Sequence, residues 1–203
     1  GWHAFFQTDK TNTSDAELFT KNTNNTIGTA DTEYSTSAIQ ANTWYRMVIS
    51  VKNRSFFRVY LNGVLWLDAT GQAKDGRFGL EDVLLIFADN DGDDGIINCS
   101  ELSIYEVALN DNEVAELGYD LAGNVPARLG WWKFDDATDI LKAEIGSDLE
   151  LSGAQLSVNG PAAGNLATSI SSGSYLKMNH GISGNGGGFM VNEYSLQIDF
   201  SVP

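Results

Sequence analysis

The chain has 203 residues, of which 12 are basic and 27 acidic, giving a formal charge of −15 at pH 7. Such a balance repels a polyphosphate backbone, and no apolar run approaches the length of a membrane span, so nucleic acid and membrane insertion are set aside as partners. Apolar residues at 42% supply a sizeable core, while a single cysteine, Cys99, rules out an intrachain disulfide and reads as a small core residue.

The chain opens at Gly1-Trp2-His3 and closes inside an apolar strand pattern at Val202-Pro203. It reads as an excerpt of something longer, so the lack of a leader says nothing about location. The first segment, GWHAFFQTD, has a strand-like apolar run. KTNTSDAELF and the Asn/Thr-rich KNTNNTIGTADTEYSTS follow it. Short strands between such polar turns suggest a meander.

Trp44 to Val51, Phe56 to Leu61 and Val64 to Asp68 are the next strand patterns. Asn62-Gly63 separates the last two, and both residues tolerate positive φ, which predicts a two-residue hairpin. Further on, GRFGLEDVLLIFADNDGDDGIINCSELSIYEVAL spans Gly76 to Leu109. Its middle sets Asp89, Asp91, Asp93 and Asp94 between two apolar runs that alternate or saturate like buried strands.

Carboxylates this close repel one another, and a hard cation held by carboxylate and carbonyl oxygens relieves the repulsion. Calcium is the expected cofactor. A solvated turn in an acidic protein accounts for the same residues, and spacing does not separate the two. An EF-hand is excluded, because counting from Asp89 its sixth position holds Asp94 and its twelfth Ser100. Asn12, Asp15 and Glu17 could add oxygen ligands to that site or form another, against the reading of a solvated loop.

Ile96 to Ala108 predicts a strand pair or one long bent strand. Asn110 then caps a helix, Glu113 completes a capping box, Val114 and Leu117 give the apolar face, and Gly118 ends it. One short helix among strands argues for an all-β fold. Tyr119 to Gly130 has Gly, Pro and no period, a linker signature. Beyond it come WWKFDD, ILKAEIGSDLELSG, a Gly/Ala/Ser-rich stretch to Gly173, SYLKM, a glycine-dense loop at Gly184 to Gly188, and YSLQIDFSV.

Together, WYRMVISV, FFRVYLNGVLWLD, DGRFGL and LLIFADNDGDDGIINCSELSIYEVALNDNEVAELG resemble the C-terminal half of a bacterial laminin G-like, concanavalin A-like jelly-roll domain. WWKFDD, GSDLEL, SYLKMNHGI and GGGFMVNEYSLQIDFSVP resemble the N-terminal half. The resemblance implies an antiparallel β-sandwich jelly roll, with residues 1–118 as one half, 119–130 as linker and 131–203 as the other half in reversed order. Two architectures follow: the halves close one permuted sandwich, or each pairs with a neighbouring copy by strand donation. A half sandwich alone would expose unpaired edges and an open core, so some completion is required.

The related glucanases place their carboxylates on one strand as Glu-x-Asp-x-x-Glu. Glu101 to Glu106 lacks the central Asp and has the wrong spacing, so sugar hydrolysis is not expected. His3 and His180 stand apart from any Cys, Ser or second His, and His180 reads as a turn or strand-end residue. The sequons at Asn12, Asn24, Asn53 and Asn98 matter only in a eukaryotic secretory setting.

Sugar faces stack on aromatic rings, and of the five Trp residues Trp44, Trp66 and Trp132 lie in strand patterns. Trp2 and Trp131, near the chain start and the linker, are the candidate ligand-binding residues, with core packing as the alternative. The resulting expectation is a non-catalytic carbohydrate- or matrix-binding adhesion module of a secreted or surface-attached bacterial protein, calcium-stabilised at Asp89, Asp91, Asp93, Asp94 and Asp15. Its partners would be a glycan or matrix polymer and adjacent repeats. The alternative is a structural repeat of a filament or stalk whose partner is the next copy of itself.

Overall fold

The computed structural model describes residues 7–9, 16–21, 32–68, 79–88, 95–117 and 125–203. Its first strands are β1 (Gln7–Asp9), β2 (Ala16–Lys21), β3 (Thr32–Ile39), β4 (Tyr45–Lys52), β5 (Phe56–Leu61) and β6 (Val64–Asp68). Then come β7 (Val83–Ile86), β8 (Ile97–Tyr105) and the helix α1 (Asp111–Glu116). The C-terminal part adds β9 (Gly130–Trp132), β10 (Glu150–Ser152), β11 (Gln155–Asn159), β12 (Leu166–Ile170), β13 (Tyr175–Asn179) and β14 (Glu193–Ser201). All strand pairings are antiparallel, and the fold is all-β with one short helix among the described residues.

The local predictions with the clearest chemistry hold. Asn62 and Gly63 take φ of 51° and 81°, turning β5 directly into β6. Asn110 accepts from the backbone of Asn112 and Glu113, and the Glu113 side chain accepts from the Asn110 backbone, so the capping box forms as read. The helix is capped at Leu117, and Gly118 lies outside the described residues. Of the two forms open for Ile96 to Ala108, one strand is found, β8. Cys99 is fully buried, and His180 follows directly on the end of β13.

Three sheets form among the described residues: β1-β2-β3, β10-β13-β7, and a large one ordered β11-β12-β8-β14-β4-β5-β6, with β9 also pairing β8. β12 pairs with Ile97, Asn98 and Cys99, whereas β9 pairs with Leu102, Ser103 and Ile104, so the two lie end to end along one edge of β8. β14, from the end of the chain, runs between β4 and β8 and pairs with both. Segments on either side of the 119–130 stretch therefore share one sheet.

Alternation decides which side chains go where. Met47, Ile49 and Val51 of β4, Leu102 and Ile104 of β8, and Leu196, Ile198 and Phe200 of β14 point into one core. Leu84, Ile86, Leu176 and Met178 reach it from the β10-β13-β7 sheet, which makes the arrangement two-layered. Trp66, Trp132 and Phe134 fill its volume. Burying each such side chain is worth roughly 1.5–3 kcal/mol.

The opposite face of the large sheet carries Val48, Tyr60 and Tyr105, which pack with Leu109, Val114 and Leu117 into a second, smaller core. Serines make the close approach possible there. Ser195 accepts from the Leu109 backbone at 2.9 Å and donates to Val107 O at 3.0 Å, while Ser50 donates to Leu109 O at 2.8 Å. The chain after β8 is thus stitched flat across the sheet, and α1 covers what remains.

Candidate functional site

Where the cover of α1 stops, the same sheet face turns polar. Glu101 on β8 lies opposite Asp199 on β14, which lies opposite Arg46 on β4. One step along, Trp131 on β9 lies opposite Ser103, and Ser103 opposite Gln197. The in-out alternation of each strand places these residues together, since Met47, Leu102, Trp132 and Ile198 take the core side.

Arg46 is the hub. It donates Nε to Asp199 Oδ1 at 2.8 Å, Nη2 to Asp199 Oδ2 at 2.6 Å and Nη1 to Leu117 O at 2.7 Å. The last bond ties the helix C-cap to the sheet. Glu101 sits 3.7 Å from Arg46 Nη2 and 3.4 Å from Arg128 Nη2, and accepts from Gln197 Nε2 at 3.0 Å. The Tyr105 hydroxyl donates to Gln197 Oε1 at 3.3 Å.

These partners shift proton affinities in the expected directions. The bond to Asp199 raises the Arg46 pKa despite burial. Burial pushes Glu101 up, and Asp199 adds to the rise, while Arg46 and Arg128 pull it back. Burial also raises Tyr105, with Arg128 opposing. Two guanidinium groups here balance two carboxylates. Cys99, on the core side, has its thiol pushed well above the usual range by burial and is unsuited to act as a thiolate nucleophile.

Trp131 is half-buried at the rim of this network. The Arg128 guanidinium carbon lies 4.6 Å from its ring centroid and the Lys133 ammonium 4.3 Å. Both cations gain from the ring's quadrupole. The indole N–H is near enough to Glu101 to ease the carboxylate's charge, yet makes no hydrogen bond of ordinary geometry. Ser103 Oγ and Arg128 Nε are likewise buried without a partner.

Of the residues expected to bind ligand, the structure therefore places Trp131 in a polar cluster, and Trp2 lies outside the described residues. The expected calcium ligands Asp89, Asp91, Asp93, Asp94 and Asp15 also lie outside them, as does Asn12. No group of three or more His, Cys, Asp and Glu is placed to hold a metal ion among the described residues. Trp66 and Trp132 are core residues.

Sequence reasoning passed over Arg46, Gln197 and Asp199, and weighed Glu101 only against the glucanase carboxylate pattern. Their signal was present: each stands at an outward position of a strand and alternates with apolar residues on the core side. It also passed over Phe189, which is fully exposed at 104% relative accessibility beyond the glycines. Gly186, Gly187 and Gly188 all take positive φ. Asn192 Nδ2 donates to the carbonyls of Asn185, Gly187 and Met190, so the loop that presents this ring is held from within.

Compared with known proteins, the chain matches no family model, and no curated protein or solved structure matches it.

Proposed function

We propose that this chain is a non-catalytic carbohydrate-binding module of an extracellular or cell-surface protein, built on a laminin G-like jelly-roll sandwich. The observation that carries the reading is the Trp131 cluster: a half-buried indole beside Glu101, Gln197, Ser103 and Arg128, an apolar ring next to convergent polar groups. Rings of this kind stack on sugar faces while neighbouring carboxylates, amides and guanidinium groups take the hydroxyls. Phe189, presented on a braced loop, offers a second ring. Of the two stretches on which strand donation would draw, Trp2 to Phe6 lies outside the described residues, and Tyr194 to Val202 includes most of β14, which is paired on both edges within one chain. This favours a self-contained binding module over a strand-exchanged filament unit.

Calcium belongs to the same proposal, at the Asp89 to Asp94 turn. A ligand that binds only the native state raises its melting temperature. Added calcium should do so after metal removal, and Asp91→Asn should shrink the rise. An unchanged melting temperature sinks the calcium part.

The test of the function is a glycan-array screen of the 203-residue chain, with calcium and with chelator, after its mass in solution has been measured. Binding to a defined sugar that Trp131→Ala abolishes supports the module. A silent array from a chain that assembles into long oligomers would overturn it in favour of the structural repeat.

A further inference from the structure

Three buried polar atoms without hydrogen-bond partners belong to neighbouring residues: Trp131 Nε1, Arg128 Nε and Ser103 Oγ. Ser103 and Trp131 are direct cross-strand partners, so their Cβ atoms are about 5 Å apart on the same face. The Arg128 guanidinium lies over the indole at 4.6 Å, and its Nη2 reaches Glu101 Oε1 at 3.4 Å. Leaving such groups unpaired is costly, and native proteins fill the gap with water or with a ligand atom.

The chemistry of the gap selects what fills it. Trp131 Nε1 and Arg128 Nε are donors and require an acceptor. Glu101, on the same side and already served by Gln197 and Arg128, is a carboxylate that repels an anion. Ser103 can serve as either. A hydroxyl group meets all of these at once, because it accepts two hydrogen bonds and donates one. A carboxylate or sulfate oxygen does not, since it brings a second negative charge beside Glu101. The formal charge of −15 opposes acidic glycans as well.

Resting on the carbohydrate-binding reading, we propose that the place among Ser103, Arg128 and Trp131 is the seat of one hydroxyl group of a neutral sugar whose ring settles on the indole. Entry requires one of the cations over the ring to swing aside. Lys133 is the freer of the two, since its ion pair, with Glu144, is long at 3.8 Å. The Arg128 guanidinium stays, held by Glu101.

The experiment uses methyl glycosides of glucose, galactose and mannose, with the monodeoxy forms of whichever binds best. It measures their affinity for the wild-type chain and for Ser103→Ala and Trp131→Phe, the latter keeping a ring and losing the N–H. One monodeoxy sugar should bind wild type about tenfold more weakly, as each variant should bind the parent sugar, and the variants should weaken that monodeoxy sugar no further. Melting temperatures of the variants separate lost binding from lost folding. Wild-type binding with no deoxy position singled out, or with both variants at full affinity, overturns the hydroxyl seat and leaves the carbohydrate-binding reading intact. Preference for uronic or sulfated sugars overturns it too. Failure of wild type to bind any glycan on the array or any of the glycosides removes both.

Discussion

Replacing Arg46 with Met tests whether the polar cluster is structural as well as functional. The variant keeps most of the side-chain volume and loses three hydrogen bonds, two to Asp199 and one to Leu117 O. It also strands the carboxylate of Asp199, whose side chain is only 16% exposed, and removes one of the two guanidinium groups beside Glu101, which is 20% exposed. Removing one partner of a fully buried pair costs about 3–5 kcal/mol, whereas an exposed pair is worth about 0–1 kcal/mol. Partial exposure puts this change between them, at about 2–3 kcal/mol. For a chain of this size that lowers Tm by about 4–12 °C. The assay is urea and thermal unfolding of wild type, Arg46→Met, Asp199→Leu and the double variant. The double variant should lose clearly less than the sum of the singles, since it leaves no stranded partner across β4 and β14. Strictly additive losses, or a Tm within a degree of wild type for Arg46→Met, would refute the hub.

Glu101 gives the pH prediction. Its carboxyl binds a proton more tightly folded than unfolded, mainly through burial, so folded stability falls as pH rises from the ordinary glutamate range through the raised value. Glu101→Gln should flatten that fall, and denaturant titrations across the acid range would show it. Tyr60, raised from 10.0 to about 12 by burial and by its 2.6 Å bond to Asp111, should ionise late in an ultraviolet pH titration. Asp111→Asn should bring its midpoint down, and an unmoved midpoint would refute the bond's part. At Gly130 an added methyl would sit 2.5 Å from Trp132 Cη2 and 2.9 Å from Ile104 Cγ2. Gly130→Ala should cost about 1–3 kcal/mol in chemical denaturation and shift β9, disturbing sugar binding at Trp131 as well.

Sequence legibility divides along the line between local and distant interactions. The Asn62-Gly63 turn and the Asn110 to Glu113 capping box are set by atoms a few residues apart, and both form as read. The boundaries of β5 and β6 follow because the turn fixes them. The place of β14 between β4 and β8 was not legible. Nothing within YSLQIDFSV says which strands it will join, since β-pairing over this separation depends on the whole sheet. The site inherits that opacity. Arg46 and Asp199 are 153 positions apart, and neither looks functional in its own strand. Trp131 could be singled out from its place beside the linker, but its partners could not. The acidic turn, the most conspicuous feature of the sequence, lies outside the described residues.

The position of the cluster follows from how the large sheet hides its second face. β4, β8 and β14 are central strands, and on the side away from the main core they still carry buried groups, among them Ser50, Ser103, Ser195 and Gln197. Over β4 and β5 the problem is solved by apolar cover, with Leu109, Val114 and Leu117 lying on Val48 and Tyr60. At the helix end Arg46 takes over, donating to Leu117 O and to Asp199. The polar network is therefore the continuation of the second core by other means. It ends where β9 runs along β8, and there the outward residue is Trp131, half in the network and half in water. An aromatic at that boundary has a dry edge set against fixed charges and a wet edge toward solvent. In the proposed module, that boundary sets the ring beside the groups that would receive a sugar hydroxyl.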